Sequence, residues 1–210
     1  NVKALIKADY DADPANVRSV FLFGHVPVAY SGDIVPDGHN PDHRGAWPAD
    51  VYYADVDYTW GDATITSTNS SYPRQHNRPG DGKFDFSTAT MLADLEIGRV
   101  DLANLPQFAR PEVELLRQYL NKDHNFRHKI ISARPLGLVA DFFGTFSGSA
   151  FAATGWRNFA AFFGASNVTA TTDWFGALTN NSYLCAYGCG GGTFTSVDGV
   201  TTTAQLATRD

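Results

Sequence analysis

The residues that most constrain the fold are 18–28, RSVFLFGHVPV, an almost unbroken apolar run closed at both ends by polar turn residues. It is far shorter than the ~20 residues that span a bilayer. It also lacks the alternation of a strand with one wet face, and so is expected to be a strand buried on both faces of a parallel sheet. Further strand-like runs follow at 95–100 (LEIGRV), within 130–141 (ending LGLVAD), at 168–172 and at 183–187. Between them lie helical patterns. In 111–125, Val113, Leu115, Leu116, Tyr119 and Leu120 recur at helical spacing, with Pro111 near the first turn, where its missing N–H costs little. In 149–163, Trp156, Phe159 and Phe163 would face inward. Strands alternating with helices predict an α/β fold with a largely parallel sheet flanked by helices.

The remaining segments are less periodic. Val2, Leu5 and Ile6 fall on one helical face with no N-cap read ahead of them, so the chain is expected to start inside an element. Residues 29–50 are rich in Pro, Gly, Asp and His and predict a long surface loop beyond a strand's carboxyl end. Residues 51–56 suit a short strand, and 57–87 form a polar excursion containing PGDGKFD. With 210 residues, 43% of them hydrophobic, the chain suits one domain spanning 1–210.

Charge and composition exclude several functions. The net charge is −6 and the 16 Lys and Arg residues are scattered, which argues against nucleic acid as a partner. No apolar stretch is long enough for a membrane span, and residues 1–6 lack the pattern of a signal peptide. Sparse lysine with abundant Thr, Asn, Gly and aromatics fits a secreted or cell-surface bacterial protein. No G-x-G-x-x-G or P-loop pattern follows an early strand, which disfavours a nucleotide-dependent enzyme. N-x-[ST] matches at Asn69, Asn167 and Asn180 are short enough to recur by chance. Cys185 and Cys189, four apart in an extended segment, are too distant to bridge and are expected to be free thiols.

Three constellations could carry chemistry. The first is YLCAYGCGGG, which sets Cys189 at a strand's carboxyl end between Gly188, Gly190 and Gly191. Glycines there let a backbone approach a ligand and aim N–H groups at it, and a thiolate in such a place can act as a nucleophile. The same residues equally suit a small buried thiol in a tight turn. The second is His39 and His43, four apart near Asp37, Asp42 and Asp50, either ligands for a transition metal or imidazoles that hold a loop's shape. The third is acidic: Asp55, Asp57 and Asp62, with Asp81 and Asp85, offer hard oxygen ligands for calcium or make a solvated acidic turn. His25, inside the first apolar run, is expected to be a core histidine. His76, His124 and His128 have no distinguishing context.

Taken in order, the segments VFLFGHVPV, PADVYYADVD, LEIGRVDLANLPQFARPEVELLRQYLNKD, KIISARPLGLVAD and SYLCAYGCGGGTF resemble the catalytic domain of gingipain-like cysteine peptidases, relatives of the caspases. The resemblance implies a caspase-like α/β domain, incomplete at both ends and joined to further domains of a longer chain. In active members a Gly-His-Gly turn supplies the general base and a cysteine nucleophile follows on the next strand. Here the turn is Gly188-Cys189-Gly190, with Cys189 in the histidine's place. The resemblance therefore implies an extracellular peptidase-fold module without the usual dyad, acting as a binding or structural element on a protein or peptide ligand. The alternative is an active cysteine-dependent hydrolase in which Cys189 is the nucleophile and His39 or His43 its base, with Gly188, Gly190 and Gly191 contacting substrate. On either reading Asp55, Asp57, Asp81 and Asp85 are the expected calcium ligands.

Overall fold

A computed structural model describes residues 1–88, 93–143 and 152–209. The chain gathers into two compact units, Asn1–Leu102 and Ala103–Asp210. The fold is mixed α/β with short parallel sheets.

The first unit runs α1 (Val2–Ala12), β1 (Ser19–Phe23), β2 (Tyr30–Ile34), β3 (Gly45–Pro48), α2 (Val51–Ala54), a 3-10 turn (Pro73–Gln75) and β4 (Glu96–Val100). Helix α1 does have an N-cap, because the Asn1 side chain accepts from the Lys3 N–H at 3.1 Å. Strands β1 and β4 pair in parallel, from Ser19 opposite Glu96 to Phe23 opposite Val100. The expected burial of β1 on both faces does not hold. Val20 packs on a core of Ala54, Val56 and Leu95 joined by Ile6, Tyr10 and Ile97, and Leu22 is buried, whereas Phe21 is 53% exposed. Apolar composition alone did not reveal this, since a run without alternation gives no sign of which face is covered.

Two other expectations are corrected. Residues 29–50 are not one long loop: β2 and β3 form an antiparallel hairpin, with Tyr30 opposite Pro48 and Ser31 opposite Trp47. The polar excursion supplies its second partner. Gly32 N–H donates to Phe84 O and Phe84 N–H to Tyr30 O, both at 2.9 Å, and Ser31 Oγ donates to Phe86 O at 2.7 Å. Residues 51–54 are a helical turn, not a strand. The Tyr53 and Asp55 N–H groups reach back to Asp50 O and Val51 O, burying Tyr53 and Ala54 together.

The second unit contains α3 (Glu112–Arg127), β5 (Gly137–Asp141), α4 (Ala152–Phe163), a 3-10 turn (Ala165–Asn167), β6 (Val168–Ala170), α5 (Trp174–Asn180), β7 (Cys185–Cys189), β8 (Ser196–Val197), β9 (Thr201–Thr202) and α6 (Thr203–Ala207). Strands β6, β5 and β7 form a parallel sheet in that order, with β5 central. Leu138, Val139 and Ala140 of β5 are fully buried, as its apolar run predicts. Helix α4 lies directly on β5, since a Cβ on Gly137 would come within 2.8 Å of the Phe159 ring. Trp156 and Phe159 pack on Val139 and Val168, as expected, while Ser149, Ala150 and Phe151 of the anticipated helix lie outside the described residues. The helix α3 also forms where its periodicity places it. Its apolar stripe, however, buries only Leu115 and leaves Val113 63% exposed.

Candidate functional site

The carboxyl end of β7 carries the candidate thiol. Cys189 stands opposite Asp141, the last residue of β5, and its carbonyl accepts from Phe142 N–H at 2.9 Å. The side chain is half-buried against the Val139–Val168 core. Its Sγ lies 3.5 Å from Asp141 Oδ1 and 3.8 Å from Ala140 O, and the thiol is the donor to both. Asp141 Oδ1 is itself fixed by Phe143 N–H at 2.9 Å. A carboxylate beside a thiol opposes the thiolate, the reverse of the cationic setting that activates a nucleophile. Tyr187, two residues back on the strand, is pushed above its usual pKa by desolvation and, in the same direction, by Cys189 and Asp141. Asp141 was not singled out from sequence, although its place at the end of LGLVAD, the run that forms the central strand, was a signal.

The glycines around Cys189 have a packing cause. A Cβ on Gly188 would come within 2.4 Å of Val200 Cγ1, and one on Gly190 within 2.7 Å of Asp198 O. Asp198 N–H donates to Gly191 O at 2.7 Å. The turn is thus bare so that residues 196–200 can lie against it.

His39 and His43 belong to the first unit and Cys189 to the second. On the loop between β2 and β3, Asp37, His39 and His43 each bring one donor atom within 4.8 Å of the others. Asp37 Oδ2 contacts the Nδ1 of His43 closely and lies 3.4 Å from that of His39. Desolvation alone would raise the Asp37 carboxyl, but hydrogen bonds from the His43 ring and from the His39 backbone and ring outweigh it and hold it below the usual range. Asp42 and Asp50 do not join this group. Asp42 uses its backbone oxygen to accept from Ser70 and Ser71, and the Asp50 carboxylate takes both Nε and Nη2 of Arg99 at 2.7 and 2.8 Å.

The expected calcium set is divided. Asp55 and Asp57 come together with Asp94, each offering an oxygen within 4.8 Å of the others. Asp55 is buried and accepts from Tyr58 N–H and Trp60 Nε1, and Asp94 accepts from Val56 N–H at 2.8 Å. Lys3 is placed to balance these charges: desolvation lowers its pKa, against the opposing pull of Asp55, Asp57 and Asp94. Asp81 and Asp85 are elsewhere and occupied. Asp85 accepts three successive N–H groups, from Ala63, Thr64 and Ile65, and Asp81 accepts from Arg78 and Lys83 N–H. Asp62 likewise binds the N–H groups of Gly80 and Gly82. Asp81 with Lys83 N–H makes a local Asx turn, whereas Asp62 and Asp85 tie together loop segments 18–22 residues apart.

His25 is not a core histidine. Gly24, at φ +91°, ends β1 and turns the next residue outward, so the His25 side chain is 60% exposed. Its Nδ1 lies 3.0 Å from Asp101 Oδ2, which places a His–Asp pair at the carboxyl ends of β1 and β4.

No helix among the described residues is long and apolar enough to cross a membrane. Comparison with protein-family models, with curated proteins and with solved structures yields no match to this chain.

Proposed function

We propose that this chain is an extracellular module of the gingipain and caspase type that binds a protein or peptide ligand and does not cleave it. The observation that carries the reading is the setting of Cys189. On the resemblance its thiol takes the place of the family's catalytic histidine; it is half-buried against Val139 and Val168 and faces the carboxylate of Asp141. A residue that cannot accept a proton efficiently near neutral pH, next to a group that discourages its ionisation, supplies neither the general base nor a primed nucleophile. Loss of general acid–base help typically costs ~10²–10⁴-fold in rate. An exposed apolar groove of about 420 Å³ in the second unit, lined in part by Tyr119, Phe126, Ile131 and Leu184, is the surface such a ligand would cover.

The test is thiol labelling of the folded chain across pH, with peptide cleavage assayed in parallel. Cys189 should label slowly at neutral pH, with an apparent pKa no lower than the ~8.5 of a free thiol. Fast labelling below that value, together with peptide cleavage that Cys189→Ala abolishes, would replace this reading with that of an active cysteine hydrolase.

A further inference from the structure

We infer that Asp37, His39 and His43 form a three-ligand site for a zinc-class divalent ion on the loop between β2 and β3. The residues follow the order D-x-H-x₃-H, and H-x₃-H is a spacing at which two imidazoles commonly share zinc. The fold brings the three donors together: one atom of each lies within 4.8 Å of the others, and the His39 Nδ1 to Asp37 Oδ2 separation is 3.4 Å. Two ligands of one tetrahedral zinc, each about 2.1 Å from the metal, stand about 3.4 Å apart. The His39–Asp37 separation already matches that of two zinc ligands, and the closer contact of His43 with Asp37 would open to admit the ion.

The loop is also held in shape around these side chains. Trp47 Nε1 donates to His43 O at 3.0 Å, and His43 N–H donates to His39 O at 2.8 Å. The edge of Tyr72 packs on the His43 ring, with centroids 5.2 Å apart. The donor set of two imidazoles and one carboxylate suits zinc and its transition-metal neighbours and does not suit calcium, which takes oxygen. With the His39 side chain 70% exposed, a fourth position stays open to water or to a group from a ligand. Catalytic and exchangeable zinc sites share that arrangement of three protein ligands and one open position. The site stands apart from the chemistry of Cys189, so either can fail while the other survives.

A second H-x₃-H pair provides the control. His124 in the last turn of α3 and His128 just past its end have ring centroids 4.2 Å apart, but no third His, Cys, Asp or Glu ligand joins them among the described residues. The experiment is calorimetric titration of the chelator-treated full chain with zinc chloride, repeated with cobalt(II) to read the visible absorption of a bound ion. The expected result is one ion per chain, with binding lost in H39Q/H43Q and retained in H124Q/H128Q. Removing a ligand should cost no less than the ~10–100-fold typical for removing a group that merely orients one. If H39Q/H43Q fails to fold by circular dichroism, H39Q alone carries the test, since that ring is mostly in solvent. Zinc binding unaltered by H39Q, or binding abolished by H124Q/H128Q alone, would overturn the site.

Discussion

Asn77 shows how much a single polar residue in the loops can hold. Its side chain is fully buried, with Nδ2 donating to Gly32 O at 3.1 Å and to Phe84 O at 2.9 Å. Its backbone exchanges hydrogen bonds with Ser67 on both sides, at 2.8 Å each. Asn77→Ala would take the side-chain donor from Gly32 O, while Phe84 O keeps the Gly32 N–H, which should lower the stability of the first unit by about 1–2 kcal/mol in urea unfolding. A loss under about 0.5 kcal/mol would mean that water replaces the amide without penalty. Nothing in RQHNRPG marks Asn77 as buried, because its partners are carbonyls 7 and 45 residues away. Cys189 was legible for the opposite reason: its apolar strand and flanking glycines are local. His25 was misread because the apolar run continues past the strand's end, and the left-handed Gly24 that turns the chain out leaves that composition unchanged.

At the scale of elements, apolar runs marked β1, β4, β5, β6 and β7, and apolar residues at helical spacing marked α3 and α4. The β2–β3 hairpin and α2 escaped because they are held by polar bonds from distant residues, namely Phe84 and Phe86 for the hairpin and Arg99 for the cap of α2. The last helix, α6, does carry a local signature. Thr202 Oγ1 accepts from Gln205 N–H at 3.1 Å while Gln205 Oε1 accepts from Thr202 N–H at 2.9 Å, which makes a capping box. Thr202→Ala should cost this five-residue helix about 1 kcal/mol, seen as faster hydrogen exchange at the Gln205 and Leu206 amides by roughly 5-fold. Unchanged exchange there would show that the box does not limit fraying.

For the whole molecule, the response to acid should differ between the two units. The carboxyls of Asp33, Asp37 and Asp85 are held below their usual range, and all three lie in the first unit. For Asp33 the leading cause is the Arg44 guanidinium, which donates through Nε at 3.0 Å and Nη2 at 2.8 Å; desolvation opposes it and Ser67 adds to it. For Asp85, desolvation is outweighed by the three backbone donors. A folded pKa below the unfolded value means that these groups stabilise the fold fully above the ordinary carboxylate range of ~4. That stability is lost as pH falls from there through the folded values. On acidification, the indole resonances of Trp47 and Trp60 should therefore collapse at a higher pH than those of Trp156 and Trp174, and Asp33→Asn, which lacks the Arg44-paired charge at every pH, should widen the gap. Simultaneous collapse of all four would contradict the assignment.

The close contacts of Gly188 and Gly190 also have a consequence for how this scaffold can change. The path of the turn depends on its neighbours having no side chain, whereas residue 189 is delivered to its position by the strand register opposite Asp141. An engineer or a lineage can thus exchange the side chain at 189 while inheriting the same backbone, but cannot exchange the glycines beside it. Position 189 is an interchangeable tool in a fixed holder, and the identity of the holder persists through changes in what it carries.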